Sequence, residues 1–216
     1  MSEDAVAVDQ RLPALLMEAA EWRLLARLFE CPGAEWEADL RQLAGEIRDE
    51  DLRAAATLAI AAPPSPGQYH SLFGPGGPAP AREASYRESL ELGSLMSELA
   101  VYYEAFGYAP AAEEPPDHVA VEAGFVAFLT LKEAYAVANA EGDHAAVTAA
   151  AAARFRADHL ANLAAGLARI LEDAPLDYLA RAARVLTSRA GPAPRSSRLP
   201  MAPSSDGDDD RFECGI

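Results

Sequence analysis

Apolar side chains recur at three-and-four spacing along almost the whole chain, and nowhere does a strand-like alternation persist. Such a pattern favours helices over sheets. Leu12, Leu15, Leu16, Ala19, Leu25, Leu28 and Phe29 form a first stripe, which Pro32 and Gly33 close. Trp36, Leu40, Leu43 and Ile47 mark a second helix from about 34, and a third follows over 51–61 before Pro63, Pro64, Pro66 and Gly67 stop it. A short turn of helix fits 68–73. Leu92, Leu95, Met96, Leu99, Tyr102, Tyr103 and Phe106 then define a helix over 88–106 that Gly107 ends. Pro115 and Pro116 stand at the entrance of the next, where Asp117 adds a carboxylate to the positive end of the helix dipole. That helix is expected to reach about 141, with Asp143 capping its successor. Phe155, His159, Leu160, Leu163, Leu167 and Ile170 line the inner face of the long helix that follows, and a last helix fits 175–187.

The fold class is therefore all-α: a single compact helical bundle over 1–187, its halves joined by a hinge at 108–118. From 188 to 216 Pro, Ser, Gly and Asp dominate, and too few apolar side chains remain to offset the entropy of ordering. A disordered tail is expected there.

Half of the 216 residues are hydrophobic, enough for one sizeable core. Cys31 and Cys214 are the only cysteines, so no disulfide framework or four-cysteine metal site is available within the chain, and a reducing cytoplasm is the natural setting. The acidic start lacks a basic n-region, and no apolar run suffices to span a membrane. A formal charge of −16 repels phosphate backbones, which argues against nucleic acid, and attracts basic partners. The same acidity also serves solubility.

Catalytic patterns are sparse. One Glu-x-x-His spacing, Glu141 to His144, falls across an expected helix break, where a dinuclear site needs two such turns plus further glutamates. His118 and Glu122 share a helix face but make only two ligands, and an intrahelical hydrogen bond is the plainer reading. Around Gly74, Gly76 and Gly77 no Gly-Lys-Ser/Thr follows, and interleaved prolines remove the amide donors of a phosphate loop. No nucleophile turn accompanies the histidines, so neither catalysis nor a resident cofactor or metal is expected. Cys214 is third from the end, which fails the prenylation box.

Two blocks stand out together: YHSLFGPGGPAPAREASYRESL from Tyr69 to Leu90, and EPPDHVAVEAGFVAFLTLKEAY from Glu114 to Tyr135. Their pairing resembles the TorD/DmsD/NarJ family of redox-enzyme maturation chaperones, with its Tyr-x-x-Leu-Phe turn, Pro-Ala-Pro loop and Glu-x-Pro-Asp-His hinge. Ala123 and Gly124 depart from the expected leucine region, and Leu163 stands where tryptophan is frequent.

The resemblance implies a TorD-like, non-enzymatic cytoplasmic chaperone. Its partner would be a molybdenum-cofactor oxidoreductase catalytic subunit, held through its twin-arginine signal peptide, its body, or both until cofactor insertion and before export. It also admits a monomer or a domain-swapped dimer, and weak guanine-nucleotide binding. The peptide-binding residues it implies are Tyr69, Leu72, Phe73, Gly74, Pro75, Pro80, Tyr86, Glu114, Asp117, His118 and Glu122. In that reading Asp117 and Glu114 accept from arginine, while Tyr69, Leu72, Phe73 and Tyr86 supply apolar contact and His118 orients the hinge. Asp117 and His118 are expected to be exposed. Plainer roles stand beside these: Leu72 and Phe73 as core, and Asp117 as a partner for helix-start amides. A helical enzyme or cofactor carrier, or an adaptor indifferent to the signal peptide, remain the alternative functions.

Overall fold

The computed structural model describes residues 3–87, 92–110 and 114–192, with side chains from Arg11 onward. The expected helix start at 88–91, residues 111–113 of the hinge, the tail from 193 and Cys214 lie outside the described residues.

The chain folds as α1 (Glu3–Phe29), α2 (Trp36–Glu46), α3 (Glu50–Ala61), α4 (Pro66–Phe73), α5 (Leu92–Phe106), α6 (Val119–Ala138), α7 (Gly142–Phe155), α8 (Ala161–Leu171) and α9 (Asp177–Ala190). A 3₁₀ turn, Glu83–Tyr86, precedes α5, and a π-helical turn, Arg156–Leu160, makes α7 and α8 one continuous rod. The described residues contain no sheet, only an isolated bridge between Arg82 and His118.

Helix α6 is the axis of the bundle. Its side chains are apolar nearly all round, from Val119, Val121 and Phe125 to Leu129 and Val137, which is the pattern of a helix enclosed by its neighbours. It packs most extensively on α1 and then on α7, while α9 closes against α8 and α3. Trp22, Leu25 and Phe29 of α1 meet Phe125 of α6, Phe155 of α7 and Leu163 of α8 in one contiguous core. Leu163 is wholly buried within it.

Three helix ends differ from expectation for local reasons. Asp117 does not cap α6; His118 does, its Nδ1 accepting from the Ala120 amide at 3.2 Å. Asp143 lies inside α7 instead of capping it, because the break falls earlier, at Ala140 with φ 57°, and the Glu141 amide donates back to the Ala136 carbonyl at 2.8 Å. Helix α9 runs on to Ala190, into the stretch expected as tail, because Arg189 is anchored on Glu21 at 2.8 Å and Asp49 at 2.7 Å.

Candidate functional site

The two sequence blocks meet. Val119 donates its amide to the Ala81 carbonyl at 2.9 Å and Glu83 donates to the Asp117 carbonyl at 2.8 Å, so the loop after α4 is paired, strand-like, with the start of α6. Pro80 and Tyr86 brace that loop, the tyrosine hydroxyl donating to the Pro80 carbonyl at 2.8 Å. Gly74 and Gly77 sit where backbone crosses backbone: a Cβ would lie 2.3 Å from the His70 carbonyl oxygen and 2.4 Å from that of Leu72. Gly74, Pro75 and Pro80 thus shape the loop.

Beneath the loop lies a polar junction. The Tyr69 hydroxyl is 3.0 Å from the Phe29 carbonyl, 3.1 Å from Glu114 Oε1 and 3.3 Å from His118 Nε2. Since His118 Nδ1 accepts from Ala120, Nε2 carries the proton and donates to the tyrosine oxygen, leaving the tyrosine O–H to donate to Phe29 or Glu114. Burial, reinforced by the Arg82 charge, lowers the His118 pKa to about 4, so the ring is neutral. Burial and then Glu114 push the Tyr69 phenol upward.

The expectation that Asp117 and His118 are exposed is overturned: they are 0% and 3% exposed. An ionised carboxylate survives such burial only when paired, and the Arg82 guanidinium bonds Asp117 Oδ1 through Nε at 2.8 Å and its terminal nitrogen at 2.7 Å. Tyr69, Leu72, Tyr86 and Glu122 are also buried. Phe73 and Glu114, partly exposed, are the implied contacts that solvent reaches at this junction, together with the loop residues Gly74, Pro75 and Pro80.

Deeper still, sequence reasoning missed a second cluster. Glu83 accepts from Arg87 Nε at 2.6 Å, lies 3.0 Å from His159 Nδ1, and accepts from Asn162 at 3.3 Å. The π-helical turn creates this arrangement: its widened backbone frees the Asp158 carbonyl to accept from Asn162 at 2.6 Å and from Arg87. Burial opposes ionisation of Glu83, yet His159 and Arg87 outweigh it and hold the carboxyl below its ordinary range. Glu122 is the reverse case. It makes no side-chain bond to His118, and no nitrogen donor reaches either of its oxygens. Burial, then the Glu83 charge, push its carboxyl well above the usual range. The clue in sequence was the Glu83–Arg87 pair at four-residue spacing.

Beside the junction opens a cleft of about 600 Å³ between α1, α2 and α6. Leu16, Ala20, Leu43, Phe128 and Leu131 make it apolar, and Glu30 and Glu46 lie on its lining. Tyr108 and Gly124 form part of its floor: a Cβ on Gly124 would stand 2.7 Å from the Tyr108 hydroxyl, so the absent leucine bulk on α6 is what admits that ring. Glu30, on the cleft lining, follows directly on Phe29, whose carbonyl takes the Tyr69 hydroxyl, and Ala120, also on the lining, donates its amide to His118. Among the described residues no three His, Cys, Asp or Glu side chains stand together as a metal site; Glu141 and His144 bond each other at 3.0 Å on an exposed surface. Among the described residues no helix is long and apolar enough to cross a membrane.

The all-α bundle thus sets an apolar cleft near a proline-rich loop and a buried Asp-His junction. The chain matches the family described as nitrate reductase delta subunit over residues 30–169, well over half its length, and it belongs to that family of NarJ/TorD-type molybdoenzyme maturation chaperones. A search of curated proteins gave no match.

Proposed function

We propose that this chain is a cytoplasmic chaperone that binds the twin-arginine leader of a molybdenum-cofactor oxidoreductase catalytic subunit, and with it the body of that subunit, until the cofactor is inserted and before export. It acts by binding alone. What supports the reading is the apolar cleft, lined by Ala120 next to the His118 cap, in a chain of this family. A leader offers two guanidinium forks followed by an apolar stretch; the acids at the junction suit the forks and the cleft suits the stretch.

The buried residues then have a defined part. Arg82, whose side chain is 40% exposed, occupies Asp117 as a leader arginine would. Lifting the 74–87 loop from the start of α6 lets the client's guanidinium take that carboxylate, with Glu114 receiving the second. Phe73 offers apolar contact at the mouth, Tyr69, Leu72, Tyr86 and His118 hold its shape, and Glu122 is buried behind it.

The test is retrieval of the chain from its native host with its bound proteins identified by mass spectrometry. A molybdenum-cofactor catalytic subunit should be the principal partner, and deleting its leader should weaken the complex strongly. Undiminished binding of the leaderless client would make the chain an adaptor for the folded body.

A further inference from the structure

The otherwise apolar cleft carries an ion pair on its own wall. Arg23 and Glu30 both line it, and Arg23 Nη1 donates to Glu30 Oε1 at 2.8 Å. Arg27 holds the other oxygen, Oε2, and its second terminal nitrogen reaches Asp39 at 2.9 Å. Burial raises the Tyr108 phenol to about 12, with Arg23 opposing the shift and Glu30 adding to it, so both charges act on the cleft floor.

The two arginines are unequal. The Arg27 side chain is 14% exposed and is fixed between two acids, whereas that of Arg23 is 40% exposed and, among the described residues, has Glu30 as its only partner. Glu30 itself is buried, and a buried carboxylate keeps its charge only while cations hold it. With Arg23 withdrawn, the carboxylates of Glu30 and Asp39 against the single Arg27 guanidinium leave one negative charge at this wall. A half-exposed arm such as that of Arg23 gains little from its pair and is readily replaced by another cation.

The position of the pair in the cleft also matters. Helix α1 runs antiparallel to α6, since Ala26 packs beside Gly124 and Arg11 bonds Glu133. Glu30 therefore lies toward Ala120 and the His118 cap, and Leu16 and Leu131 stand toward the other end. The Phe29 carbonyl, one residue before Glu30, takes the same Tyr69 hydroxyl that reaches Glu114. A polypeptide that leaves Glu114 and enters the cleft passes Glu30 before it meets Leu16 and Leu131.

We propose that Arg23 is a placeholder on Glu30, displaced by a basic side chain of the client that lies between its arginine pair and its apolar stretch. The inference rests on the leader reading above and adds to it a third cation and the residue that selects it. The exchange conserves charge: the buried carboxylate is paired before and after, and Arg23 turns into solvent.

The experiment titrates the full chain, Arg23→Ala and Glu30→Gln into two labelled peptides and follows fluorescence anisotropy. Each peptide has two adjacent arginines, then a third arginine in one and its uncharged isostere citrulline in the other, then an apolar stretch. The unaltered chain should prefer the third arginine about tenfold. Arg23→Ala should bind the arginine peptide about threefold more tightly and the citrulline peptide unchanged, because a competitor has been removed. Glu30→Gln should abolish the preference. Weaker binding of the arginine peptide by Arg23→Ala would make Arg23 a contact instead of a placeholder and overturn the proposal, as would a preference that persists in Glu30→Gln. Should Glu30→Gln fail to fold, the sign of the Arg23→Ala effect decides alone. If the unaltered chain binds both peptides equally, yet loses them when the adjacent pair becomes alanine, the exchange fails and the leader reading stands. If no form binds either peptide, both fall.

Discussion

Tyr69 and His118, 49 residues apart in the chain, meet with hydroxyl and Nε2 at 3.3 Å beneath the loop that joins α4 to α5. Through that contact the helix carrying the Tyr-x-x-Leu-Phe turn is fastened to the cap of the central helix. The same hydroxyl reaches Phe29 of α1, so one phenol ties together three elements.

Tyr69→Phe should therefore destabilise the fold by about 1–2 kcal/mol, since it leaves the buried His118 donor and the Phe29 carbonyl without their partner. Denaturant melts of Tyr69→Phe, His118→Asn and the double variant should show a coupling of about 1 kcal/mol. Strict additivity would mean that the two side chains do not act together.

Acid sensitivity should trace to the same histidine. The folded-state pKa of His118 is lowered to about 4, whereas an unfolded histidine titrates near its model value of 6.5. Between those values the unfolded chain binds the extra proton, so the contribution is fully present above about 6.5 and is lost as pH falls toward about 4. It amounts to at most about 3 kcal/mol. In His118→Asn, which keeps a capping acceptor, the slope of stability against pH in this window should flatten. An unchanged slope would place the titration elsewhere.

Glu122 should act in the opposite sense. Its folded-state pKa is raised, so its contribution is full below the ordinary glutamate range and is lost as pH rises toward the folded value. Glu122→Gln keeps the size of the side chain and cannot ionise. It should be more stable than the unaltered chain at pH 8 and no more stable at pH 4, as thermal melts at the two pH values will show.

Much of the bundle is legible in sequence because its periodicity is strong: the 92–106 stripe and the all-round apolar α6 follow directly from side-chain spacing. What spacing cannot show is which polar groups are paired across long separations. Asp117 looks like a solvent-facing acid at a helix start until Arg82, 35 residues away, is found against it. Likewise Glu83 looks like one more surface acid until the π-helical turn at 156–160, which carries no turn residue to announce it, delivers His159. The proline-rich loop and the Asp-His pair were readable as a unit by resemblance. The cleft was not, because its walls come from three helices distant in sequence; the absence of bulk at Gly124 gains its meaning only once Tyr108 is found against it.

The central claim is that a basic, apolar leader is held by Glu114 and the α1/α2/α6 cleft. Fluorescence anisotropy of a labelled peptide with two adjacent arginines and an apolar stretch, titrated with the full chain, tests it most directly. Saturable binding is expected that weakens about tenfold when the arginines become alanines and by a similar factor in Gly124→Leu, which fills the cleft, with Glu114→Gln intermediate. Binding indifferent to all three changes, in variants whose helicity is intact, would contradict the account.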